Sequence, residues 1–133
     1  MQIMPRTAKQ FGLKRAELFS ASRSIETAVK ILDAFDDIMA SQVADPIERQ
    51  KFVMASYNAG PGHVLDAIRL ARKYGYDPQI WDDNVEKAML MKMNRKYYRD
   101  PVVRHGYSRG RETVDYVDRI WSYYEDVVTK IPA

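Results

Sequence analysis

Apolar residues recur along this chain at alternating three- and four-residue spacing, the period of a helix with one buried face. Ile25, Ala28, Val29, Leu32, Phe35 and Met39 form one such stripe. Ser24 is its expected N-cap, and Glu26 puts a negative charge in the first turn. Ahead of it, Pro5 and Phe11-Gly12 bracket a short helix. Asp45-Pro46-Ile47-Glu48 combines a capping side chain, a first-turn proline and an acid, so a helix is predicted to start there and carry Phe52, Val53 and Ser56-Tyr57. It stops at Asn58-Ala59-Gly60-Pro61-Gly62. A further helix is expected from about His63 through Val64, Ala67, Ile68 and Ala71 to Tyr74, with Gly75 just past its end. Asp77-Pro78 and Asp82-Asp83 read as two more starts, the second leading into Val85, Ala88, Met89 and Met93.

Between Asn94 and Gly110 the period fades, and tyrosine, arginine, proline and glycine dominate. An ordered loop containing a short helical turn is expected there. The chain then closes on a long seam of Val114, Val117, Trp121, Tyr124, Val128 and Ile131. No strand-like alternation, hairpin dipeptide or internal repeat appears. The predicted fold is all-α, a compact orthogonal bundle, with residues 1–133 forming a single domain.

Composition narrows the picture only a little. The 133 residues are 46% hydrophobic and 29% charged, as in an ordinary globular protein. No window approaches the ~18 consecutive apolar residues of a membrane span, and no basic segment followed by an apolar one marks a secretory signal. The net charge of +3 suits an anionic polymer. The basic residues are dispersed and no nucleic-acid module is present, so nucleic acid is not an expected partner. With no cysteine, thiolate chemistry and disulfides are excluded. His63 and His105 lack Cys, His or acid neighbours at ligand spacing, so no metal site and no cofactor is expected. Asp36-Asp37 and Asp82-Asp83 are adjacent carboxylates that point in different directions on a helix, which argues against an acid/base pair.

Three separated segments carry a more specific signal. The first is Met1-Gln2-Ile3-Met4-Pro5-x-Thr7-Ala8, the second Tyr57-Asn58-Ala59-Gly60, and the third Glu112-Thr113-x-x-Tyr116-Val117-x-x-Ile120. Taken alone, each has a plain structural explanation, as core filler, a helix end or an amphipathic seam. Together and in this order they resemble the catalytic domain of lytic transglycosylases, which cut bacterial cell-wall glycan on a goose-lysozyme-like fold. Ser56 stands where that family's second motif usually has alanine. Gly106-Tyr107-Ser108-Arg109-Gly110 and the segment Trp81 to Tyr98 resemble most the membrane-bound type F, in which the domain follows a periplasmic solute-binding-like domain.

The resemblance implies cleavage between MurNAc and GlcNAc with formation of a 1,6-anhydro-MurNAc end, carried out by a single glutamate acting first as acid and then as base. In the family that glutamate precedes the first motif. It is therefore expected upstream of Met1, and the 133-residue chain is expected not to cleave by itself. Glu112 is a poor substitute, since the family places its acid elsewhere. By the same resemblance Gln2 bonds the sugar, Met4 lines the cleft, and Tyr57 positions the acetamido group or the departing sugar. Asn58 contacts nearby sugar atoms or fixes the loop, and Tyr116 reaches the acid or the sugar from the last helix. Arg109 and Glu112 anchor the start of that helix.

The implied partner is peptidoglycan, and the implied location is the periplasm, associated with the outer membrane in the full-length protein. Absence of the acid-bearing helix is expected to uncover apolar surface and favour self-association. The competing readings are a non-catalytic glycan-binding module, a goose-type lysozyme hydrolase that adds water, and a helical scaffold.

Overall fold

The computed structural model describes the backbone of residues 15–130 and the side chains of residues 22–130. The short helix expected around Pro5 to Gly12, together with Gln2 and Met4, lies outside the described residues. Six α-helices and no strand are found among the described residues, so the fold is all-α.

Helix α1 is Arg15–Ala40. It runs straight through Ser24, which therefore does not cap it, because Arg15 to Ala21 is rich in good helix formers. Its apolar stripe meets the core unevenly. Ala28 and Met39 are buried and Leu32 and Phe35 pack against the core, whereas Ile25 and Val29 are exposed.

Helix α2, Pro46–Ala59, starts where the capping signal predicts. Asp45 Oδ1 accepts from the backbone N–H of Ile47 at 2.8 Å and of Glu48 at 3.3 Å. Glu48 does not reach back to the cap. Its Oε1 accepts from the N–H of Trp81 at 2.5 Å, a long-range tie that leaves Trp81 wholly buried edge-on to Phe52. Helix α2 is the hub, packing against α1, α3 (Pro61–Lys73) and α6 (Gly110–Lys130).

One residue separates α2 from α3. Gly60 has φ +99°, a value that glycine adopts at little cost, and Pro61 opens the next helix without needing a hydrogen-bonded N–H. The start is thus two residues earlier than expected, and His63 lies in the first turn of α3. Helix α3 ends as its glycine predicts. Gly75 has φ +87°, and the N–H of Tyr76 bonds back to Ala71 at 2.9 Å.

Asp77-Pro78 forms a turn and starts no helix. Asp77 Oδ1 accepts from the N–H of Gln79, so the side chain closes a local ring that competes with helix propagation. A wide turn over Trp81–Val85 follows, with Asp83 at φ 60°. Glu86 caps Asp83 N–H at 2.7 Å and begins α4, Glu86–Met91. The one-turn helix α5, Arg95–Tyr98, is capped by Asn94 inside the expected loop.

Helix α6 crosses α4 closely at Gly110, where a Cβ would run into the backbone carbonyl of Met89. Ile131 of its seam lies outside the described residues, and the rest is fully buried only near the start. Val114 and Val117 are buried, while Tyr124 and Val128 are exposed. No helix among the described residues is long and apolar enough to cross a membrane.

Candidate functional site

Helices α1, α2 and α6 line an open cavity of about 340 Å³. Leu32, Val53, Met54 and Ile120 supply apolar walls, Tyr57 and Tyr116 supply phenols, and Asp33, Asp36 and Gln50 complete the lining. Tyr57 sits near the end of α2 and Tyr116 almost two turns into α6, so packing of those helices brings together residues 59 positions apart in sequence. Burial raises the Tyr116 phenol above its usual range, and the neighbouring Tyr57 acts in the same direction. The hydroxyl is protonated at neutral pH, as an ordinary phenol is, and the shift strengthens that state.

Asp36 accepts a charge-assisted bond from Arg49 Nε at 2.9 Å, and no glutamate lines the cavity among the described residues. Its lining combines apolar walls with a few polar groups, the make-up of a small-molecule site.

Asn58 does not line this cavity. Its Oδ1 accepts from Thr113 Oγ1 at 2.7 Å, bridging the end of α2 to the first turn of α6. That bond ties together the two helices that carry Tyr57 and Tyr116. Arg109 and Glu112 lie together at the α6 start, 3.9 Å apart and both exposed. Gln2 and Met4 lie outside the described residues. Among the described residues no group of acids and histidines is arranged to hold a metal ion.

A buried ionic network below this site has no sequence signature. Asp66 and Lys92 are both wholly buried and pair at 2.7 Å. Asp66 also accepts from Arg69 and from the backbone N–H groups of Arg104, at 2.8 Å, and His105, at 2.9 Å. Burial pushes Asp66 upward, but the bonds from Arg104, Lys92 and His105 outweigh it and hold the carboxyl below its usual range. Burial moves Lys92 the other way, lowering it despite Asp66.

The Lys92 ammonium also meets His63 Nδ1 at 2.7 Å. Lysine has no acceptor, so Nδ1 must be the unprotonated ring nitrogen. Burial first and Lys92 second depress the His63 pKa accordingly. Nearby, Asp100 binds Lys73 at 2.8 Å and accepts from Tyr74 Oη at 2.7 Å. The Lys73 bond, with the N–H of Val102, brings its carboxyl down to about 2. These two centres staple the irregular segment 100–109 onto α3. Asp66 at a helical position and Lys92 past the end of α4 read in sequence as ordinary surface charges, and only the tertiary fold pairs them.

Compared with family models, the chain matches that of the Transglycosylase SLT domain over residues 1–80. It is similar to the membrane-bound lytic murein transglycosylase F of Shewanella halifaxensis, 39% identical over 122 residues, which cover 92% of this chain and 24% of the relative. The protein of the same name from Desulfosudis oleivorans is 39% identical over 129 residues, or 94% of this chain and 26% of the relative. That of Shewanella frigidimarina is 47% identical over 81 residues, covering 61% of this chain and 16% of the relative. The chain thus spans about a quarter of the length of the first two relatives.

Proposed function

This chain belongs to the Transglycosylase SLT domain family, and from that premise we propose that it is the glycan-binding part of a peptidoglycan lytic transglycosylase. The observation that carries the reading is the shared cavity of Tyr57 and Tyr116, two tyrosines from separate motifs held together by the Asn58–Thr113 bond. A sugar ring entering it meets apolar walls along its C–H face and phenols along its hydroxyls, the division that sugar recognition requires.

Cleavage in this scheme breaks the bond from C1 of MurNAc to the oxygen of the departing GlcNAc. That oxygen takes a proton from a carboxylic acid. The C6 hydroxyl oxygen of MurNAc then bonds to C1 and returns its proton to the same carboxylate, leaving the 1,6-anhydro end. An acid suited to this work has a raised pKa in a partly apolar pocket, and the walls of this cavity provide such surroundings. Asp36 is committed to Arg49 and Asp33 is exposed to solvent rather than held in an apolar pocket, so the scheme takes its acid from outside the described residues. On this proposal residues 15–130 bind and orient glycan, and they require a glutamate from elsewhere in the protein to cleave it. The corresponding place of work is the periplasm, at the outer membrane in the full-length protein. Self-association through the exposed Ile25 and Val29 of α1 belongs to the same proposal and is read by light scattering across a concentration series.

Digestion of purified cell walls tests the reaction. The full-length protein is expected to release fragments with anhydro ends, and the 133-residue chain to bind the walls. Products heavier by one water, with a reducing end, would instead indicate the goose-type hydrolase. Failure of the full-length protein to release anhydro ends would contradict the reading.

A further inference from the structure

Residues 93–111 form a basic surface. Arg95, Lys96, Arg99, Arg104, Arg109 and Arg111 are exposed, and the one acid of the segment, Asp100, is buried against Lys73. Within this surface the rings of Tyr98 and Tyr107 stand edge to face, 5.9 Å apart, with Tyr107 exposed. Ser108 turns inward and is buried, so Tyr107 and Arg109, on either side of it, both project outward.

Position relative to the cavity follows from the backbone. The carbonyl of Arg109 accepts from the N–H of Thr113, and Thr113 Oγ1 in turn bonds Asn58. Arg109, the residue just before α6, is therefore in register with Thr113 and Tyr116 at helical spacing, about 10 Å of helix rise from Tyr116. The Arg109 side chain is 80% exposed and, among the described residues, pairs with Glu112 at the loose distance of 3.9 Å. It is thus a cation available to an incoming ligand just ahead of the helix that carries Tyr116.

We propose that Tyr107 and Arg109 form a subsite beside the cavity that takes a carboxylate-bearing substituent of the glycan strand, the ring packing on its apolar part and the guanidinium pairing with its acid. The proposal rests on the glycan-binding reading above and extends it to the substituents of the strand. A planar guanidinium suits a carboxylate because it donates two parallel N–H bonds. The network of Asp66 and Lys92 holds the backbone of Arg104 and His105, just ahead of Tyr107 and Arg109, in place. Two sources offer the same chemistry, the lactyl carboxylate of MurNAc freed of its peptide and the carboxylates of an intact peptide stem.

Three soluble ligands separate the possibilities in calorimetric titrations of the 133-residue chain. Chitooligosaccharide has no carboxylate, amidase-treated glycan has lactyl carboxylates, and stem-bearing glycan has peptide carboxylates. Arg109→Gln is expected to weaken binding of one or both acidic glycans about fivefold, the size of a partly exposed charge-assisted pair, and to leave chitooligosaccharide unchanged. Arg109→Lys, which keeps the charge and loses the fork, is expected to fall between. The acidic glycan that responds identifies the source. Equal affinities of wild type and Arg109→Gln for all three ligands, or an equal loss for all three, would overturn the subsite and leave the cavity reading intact. Failure of the wild-type chain to bind any of the three would overturn both.

Discussion

Replacing Asp66 by alanine removes the acceptor of four donors in one step: Lys92 Nζ, Arg69, and the backbone N–H groups of Arg104 and His105. Lys92, wholly buried, keeps only His63 as a partner. Removing one member of a buried ion pair costs about 3–5 kcal/mol. Each stranded N–H adds about 1–3 kcal/mol where water is excluded. Arg104 and His105 are exposed residues, so water recovers much of that second cost, and the net loss comes to about 4 kcal/mol. Small domains have about 5–15 kcal/mol in total. With a urea dependence of about 1.5 kcal/mol per molar, the midpoint of unfolding is expected to fall by between about 2 and 3 M. The partner substitution Lys92→Met leaves Asp66 with three donors and is expected to cost about half as much. The double variant is expected to be more stable than Asp66→Ala alone, because no unpaired ammonium remains. A loss under about 1 kcal/mol for Asp66→Ala, or strictly additive effects, would refute the account of this network.

Three further outcomes follow from particular contacts. The Asp100 carboxyl lies at about 2 in the fold and at 3.8 in an unpaired state, so its stabilisation is complete above about pH 4 and is lost as pH falls toward 2. Asp100→Asn is expected to flatten acid unfolding in that window, and an unchanged acid titration would count against the Lys73 pairing. His63 is held neutral, its pKa displaced below 6.5, so its contribution is full above pH 6.5 and declines on acidification. His63→Asn is expected to lessen the loss of thermal stability below that pH, as followed by circular dichroism, and an undiminished loss would argue that His63 is not the group responsible. Gly110→Ala forces a methyl group into the Met89 carbonyl and is expected to cost about 1–3 kcal/mol in urea unfolding, as overpacking does. A neutral result would mean that α4 and α6 are less closely apposed.

Legibility from sequence tracked how local each feature is. Asp45-Pro46, Gly60-Pro61 and Gly75 mark helix ends through contacts within a few residues, and the fold follows them. Ser24 misled because a capping residue is also tolerated inside a helix when the residues before it favour one. Asp77-Pro78 misled because the same side chain closes a turn as readily as it caps a helix. Tyr57 and Tyr116 were legible as candidates only through motifs, since an amphipathic period alone makes both of them packing residues. The Asp66–Lys92–His63 network was not legible at all. Its members are 26 and 29 residues apart in sequence and follow no spacing rule. The exposed ends of the α1 and α6 seams reflect a limit of the same kind, because periodicity gives a helix its apolar face and not the partner that covers it.

The central claim is that Tyr57 and Tyr116 form one sugar-binding cavity. It is tested most directly by titrating chitooligosaccharide into the 133-residue chain while following the tyrosine ring resonances by NMR. The rings of Tyr57 and Tyr116 are expected to shift together along one binding curve, and Tyr57→Ala and Tyr116→Ala each to weaken it at least tenfold. Saturable binding that moves neither ring and survives both substitutions would place the sugar elsewhere and contradict the account.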